Sequence, residues 1–269
     1  MTTAIKAEVS GETVEALLRE ELAQGDIMLS TATPILRHLL VNDDQALFSD
    51  EVVARVRGML TDVARQMLHA EAEAVKVYDR LAFLAEREES LAAALFDDAA
   101  FLTHVHALTL EAKLELQLQA RCNIDPVLSP LLQELIAAKD DVLAGSAMAV
   151  LAAQARFIQH HRRMALPIAE LPGDLFHKAL LAMRAQSDAD EEAIASAERT
   201  LRESYDESHS RLGLLSRLVM RMGKTAPRAL DVDHAGLAIF ATALAMASGQ
   251  ERDLAVLHDV ALVGGGQCG

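Results

Sequence analysis

The chain has no tryptophan, two tyrosines and seven phenylalanines in 269 residues. Its core must therefore be filled by Leu, Ala, Val and Met, which suits close-packed helices better than a sheet, where β-branched and aromatic residues are favoured. Cysteine is scarce as well. Cys122 and Cys268 are the two present, too few for a disulfide framework or a cysteine-based zinc site, and this usage points to a reducing cytoplasm. Positive charge is the third shortage: 25 Lys and Arg stand against 40 Asp and Glu, a formal net charge of −15. Such a surface repels phosphate backbones and anionic lipids, so neither nucleic acid nor membrane is expected as a partner.

The opening residues lack the apolar core and small-residue cleavage site of a signal peptide. The most apolar stretch, Val142 to Ala153, is interrupted by Gly145 and Ser146 and followed by Gln154 and Arg156. A bilayer needs about 20 apolar residues, so this stretch is expected to be a buried helix. Catalytic signatures are missing too: there is no Gly-x-Ser-x-Gly elbow, no His-Glu-x-x-His and no phosphate-binding Gly-rich loop ahead of a helix.

What is present is helical periodicity nearly throughout, with no run of β-branched alternation. Ser49 can cap a helix in which Val52, Val56, Met59, Val63 and Met67 share one face. A second stripe is Phe101, Val105, Leu108, Ala112 and Leu116. The longest covers residues 189–222, with Ile194, Ala197, Leu201, Tyr205, Leu212, Leu215, Val219 and Met222 in line. The breaks "NIDP" (123–126), "LPIAELPGD" (166–174), "GKTAP" (223–227) and "ASGQ" (247–250) are short, which predicts neighbouring helices packed as antiparallel hairpins. The expected fold is all-α, with stacked hairpins or two abutting bundles. Its expected divisions are a flexible 1–11, helical halves 12–122 and 123–260, and a Gly-rich tail 261–269. Segments 17–29 and 131–143, and again 47–59 and 171–183, share residues at similar offsets, a pattern that either chance or a duplication explains.

The runs "DPVLSPLLQELIAA" (125–138), "MAVLAAQARFIQHHRRMALPIAELPGDLFHKALLAMRAQ" (148–186) and "DHAGLAIFATALAMASGQERDLAVL" (233–257) resemble an uncharacterised family of alphaproteobacterial, HEAT-like helical proteins. The resemblance spans most of 12–260 and implies a repeat-like helical fold in a bacterial protein; it carries no active-site residues.

Two local patterns carry candidate chemistry. "FIQHHRRM" (157–164) sets His160, His161, Arg162 and Arg163 in a row. No acidic residue stands beside His161 and the next proline is Pro167, a poor fit to a phospho-accepting histidine. A basic helix end is the plain reading, and an acidic protein partner is the functional one. Three Asp-x-x-His pairs also occur, Asp174/His177, Asp206/His209 and Asp231/His234. Asp174, and either Asp231 or Asp233, stand where helix caps belong, and ten histidines in an acidic chain supply such pairs by chance. Asp206 and His209 read as one helix face that His69 and Glu73 could complete as a di-iron-like metal site.

The expectation is thus a non-enzymatic cytoplasmic scaffold or regulatory module with no cofactor. Its partner is an unidentified protein, or a second copy of the chain. A metal-binding bundle and a phosphotransfer or small-ligand sensor module are the alternatives.

Overall fold

The computed structural model describes residues 14–20 and 50–256, and among these every regular element is helical. The elements are α1 (Asp50–Val75), α2 (Arg80–Phe96), α3 (Ala99–Cys122), α4 (Pro130–Ile136), α5 (Asp141–Arg162), α6 (Gly173–Gln186), α7 (Glu191–Ser204), α8 (Arg211–Arg221), α9 (Val232–Ala235) and α10 (Leu237–Ser248). Short 3₁₀ turns lie at Ile168–Glu170, Glu207–His209 and Gly223–Leu230. The "GKTAP" break is thus itself a helical turn. Ser49, the expected cap of α1, lies outside the described residues, as do most of 17–29 and the termini. Cys122, which closes α3, is not a free thiol.

The chain divides into two compact units, and neither is a contiguous half. Among the described residues, one comprises 14–20, 110–158 and 211–256; the other comprises 50–109 and 159–210. The chain changes unit within α3 and within α5, where a sequence has no linker to mark the change.

In the 50–109 and 159–210 unit, α1 packs against α2, α6 and α7. Val52, Val56, Met59, Val63 and Met67 are all buried, at about 1.5–3 kcal/mol for each large side chain withdrawn from water. Asp79 caps α2 by accepting the Ala82 N–H, and Asp190 caps α7 by accepting that of Ala193. Glu198, buried on α7, accepts from Arg184 at 2.7 Å and from Arg202 at 2.8 Å. These contacts, that of Arg184 foremost, hold its carboxyl below the ordinary range.

In the other unit, residues 14–20 place Val14 and Leu18 in a core with Leu131, Leu135, Val150, Leu215, Val219 and Ile239. α10 buries residues all round, among them Leu237, Ile239, Ala241, Ala243 and Ala247. It begins after Gly236 at φ 73° and ends at Gly249 at φ 69°, conformations that glycine enters freely. α5 is longer than expected. It takes in Gly145 and Ser146 and reaches Arg162, and by length and composition it could cross a membrane. Nor is its apolar stretch wholly buried, since Val142 and Met148 stand exposed at 63% and 50%.

Candidate functional site

The four residues of the basic run do not share a surface. They form the C-terminal end of α5, where Met164 turns to φ 54° and the Ala165 N–H returns to the His160 carbonyl. His161 is buried, His160 is half-buried, and Arg162 and Arg163 are exposed. Arg55 of α1 donates to the His161 carbonyl at 3.1 Å. Cations at this end complement the partial negative charge of the helix C-terminus. The run is thus explained first as a helix end. His161 is removed from the expected contact set, because its ring is not at the surface.

Asp206 and His209 are not on a helix face. α7 stops at Ser204, Asp206 caps the next 3₁₀ turn by accepting the Ser208 N–H, and His209 Nδ1 lies 2.6 Å from its Oδ2. Ser208 and His209 together hold the Asp206 carboxyl below its ordinary range. The aspartate is spent on backbone capping, and both residues are exposed, as are His69 and Glu73 on α1. Among the described residues no group of three or more His, Cys, Asp and Glu side chains could hold a metal ion, so these four do not assemble. Of the other two pairs, Asp231, rather than Asp233, caps α9, whereas Asp174 sits in the first turn of α6 behind Pro172.

A groove does form around Arg163. It has a volume of about 610 Å³ and is lined by the apolar Val53, Ala54, Gly58 and Met164 and by Arg57, Arg65 and Arg163. Val53 and Met164 are 47% and 38% exposed. Arg65 is committed to Glu88, with contacts of 2.8 and 2.9 Å. Arg57 and Arg163 make no ion pair among the described residues. Two acids also line the groove, Asp50 and Asp62. Asp62 is turned into its own fold, accepting the Leu166 N–H at 2.9 Å and the Gln66 amide at 2.8 Å. Gly58 is needed here, since a Cβ would come within 2.8 Å of Met164 Cβ.

The strongest electrostatic feature was not among the sequence expectations and lies in the unit that contains α8 and α10. Glu111, fully buried on α3, receives two guanidinium forks: both terminal nitrogens of Arg211 at 2.8 Å, and those of Arg252 at 2.8 and 2.6 Å. Arg211 also lies over the Phe157 ring, 3.8 Å from its centroid, and donates to Gln154 Oε1 at 3.1 Å. Gln154 extends the network, donating to the Pro126 carbonyl at 3.0 Å and to Glu115 Oε1. The two carboxyls diverge. Burial raises the pKa of both, but for Glu111 the two arginines outweigh it and hold the group far below the carboxylate range. For Glu115, burial and then the charge on Glu111 push it well above.

A sequence signal did exist: Leu108, Glu111, Ala112 and Glu115 follow the i, i+3, i+4, i+7 spacing of a buried face, so two acids sit inside an apolar stripe. Leu116, expected on that stripe, is 49% exposed instead.

No family model matches the chain, and no curated protein or solved structure does either.

Proposed function

We propose that the protein is a non-enzymatic cytoplasmic binding module, built from helical hairpins in HEAT-like fashion, whose α1 groove receives an acidic, amphipathic helical segment of a partner protein. The observation that supports this reading most directly is that Arg57 and Arg163, both without ion-pair partners among the described residues, line one groove with the exposed apolar side chains of Val53 and Met164. An apolar lining takes the buried face of a helix, and guanidinium forks take carboxylates bidentately. A chain of net charge −15 repels acidic partners over most of its surface, so two arginines without ion-pair partners beside exposed apolar side chains set where such a partner docks. Relative to the contact set expected from the sequence, Arg163 stays, His161 leaves, and Arg57 joins.

The test uses the full-length chain and synthetic amphipathic helical peptides of acidic, neutral and basic charge. Acidic peptides should bind, with affinity falling as salt rises. R57E/R163E should weaken that binding about tenfold or more, a loss of about 1.4 kcal/mol or greater. Equal binding of all three charge classes, or an unchanged affinity in R57E/R163E, overturns the reading.

A further inference from the structure

Beside the Glu111 knot, and within the same unit, lies a cavity of about 20 Å³. Leu118, Leu132, Val150 and Ile239 form its apolar wall, and Glu115, Ser129 and Gln154 its polar one. Glu115 is 3% exposed. Its Oε1 accepts from Gln154, while its Oε2, fully enclosed, has no hydrogen-bond partner. The Ser129 hydroxyl oxygen accepts the Leu132 N–H as the cap of α4, which leaves its own proton uncommitted. A space of this size admits one water molecule, and a buried water needs two to four polar partners.

We propose that Glu115 is an internal acid, protonated at neutral pH, whose Oε2 carries the proton and holds a single water molecule against Ser129. The charge arrangement supports the proton. Of the groups facing this carboxyl, Glu111 comes from its own helix, Arg211 from α8 and Arg252 from residues 252–256, and both guanidinium groups close their forks on Glu111 rather than on Glu115. Asp125 also lines the cavity, but it is exposed and its carboxylate accepts the Val127 and Leu128 N–H groups of its own turn. A protonated carboxyl can donate from Oε2, as an ionised one cannot. The Gln154 amide then satisfies Oε1, and water occupies the remaining direction. This inference is independent of the α1 groove, which belongs to the other unit.

The experiment reads the wild-type chain first, so it does not depend on a variant that folds. The ¹³C-labelled protein at pH 7 is tested for a glutamic side-chain carboxyl carbon at the protonated shift and for the matching acid carbonyl band in the infrared. Cross-relaxation from water to the methyl groups of Leu118 and Ile239 is then measured. The expected result is one protonated glutamic acid and a long-lived water at both methyls. E115Q should abolish the acid band and keep the water, and E115L, which fills the space, should abolish both. A wild-type spectrum without a protonated glutamic acid at pH 7 overturns the proton assignment. A protonated glutamic acid with no water contact at either methyl overturns the water site.

Discussion

Substituting Glu111→Gln tests whether the two-arginine knot holds its unit together. The amide is nearly isosteric, so no cavity is opened, and the measured loss is electrostatic. Four short contacts of 2.6 to 2.8 Å end on this carboxylate, and the side chains around it are 0% exposed for Glu111, 3% for Arg211 and 11% for Arg252. Gln can accept at one oxygen only, and its NH₂ faces a guanidinium that also donates, so two buried cations lose their counter-charge. Breaking a buried pair in this way costs about 3–5 kcal/mol, a large share of the roughly 5–15 kcal/mol that stabilises a domain. At about 2–4 °C per kcal/mol for a chain of this size, the melting temperature should fall by about 6–20 °C. The assay is urea unfolding read by hydrogen exchange on peptides from 110–158 and 211–256, because the two units need not unfold together. E191Q serves as the control: Glu191 meets Arg184 at the surface with its side chain 80% exposed, and such pairs are worth about 0–1 kcal/mol. If E111Q stayed within about 1 kcal/mol of wild type, the reasoning would fail, because the knot would then carry no more than a surface pair.

The same two acids predict the shape of the pH profile. Glu111 is held below its ordinary 4.5, so its contribution is present above that pH and is lost as pH falls, whereas Glu115 is raised above 4.5, so its contribution is present below and is lost as pH climbs. Each slope is bounded by one proton, about 1.4 kcal/mol per pH unit. In urea midpoints taken across that range, E111Q should flatten the acid limb and E115Q the neutral limb; identical profiles in all three proteins would refute the assignment. Two glycines should respond in opposite directions. Gly145 lies within α5, and a methyl added there would meet nothing within 4 Å, so G145A should gain about 0.5–1 kcal/mol. Gly236 sits at φ 73°, and its Cβ would fall 2.9 Å from Ser129 Cβ, so G236A should lose more than about 1 kcal/mol. Thermal melts of both variants decide the point.

Amphipathic period made α1 legible, because each of Val52, Val56, Met59, Val63 and Met67 is both apolar and inward. It failed where a residue's chemistry and its placement part company. Residues 189–222 carry a continuous apolar stripe, yet the chain breaks from Tyr205 to Ser210. The Asp206 side chain offers the backbone a cap, and the Tyr205 ring stacks on Phe176 with centroids 4.0 Å apart. A stripe records which side chains seek the core, and it is silent on whether the backbone between them stays helical. Glu111 and Glu115 are the opposite case: the backbone is regular, and the side chains break the expected polarity. A carboxylate reads as solvent-facing until its counter-charges are known, and those of Glu111 arrive from 100 and 141 residues away. Once both arginines close their forks on one acid, burial and the charge of that acid outweigh them at the second, and its position beside a cavity turns it from a charge into a proton-bearing hydrogen-bond donor. Local spacing could flag the two acids as misplaced, but only the long-range pairing decides which of them keeps its proton.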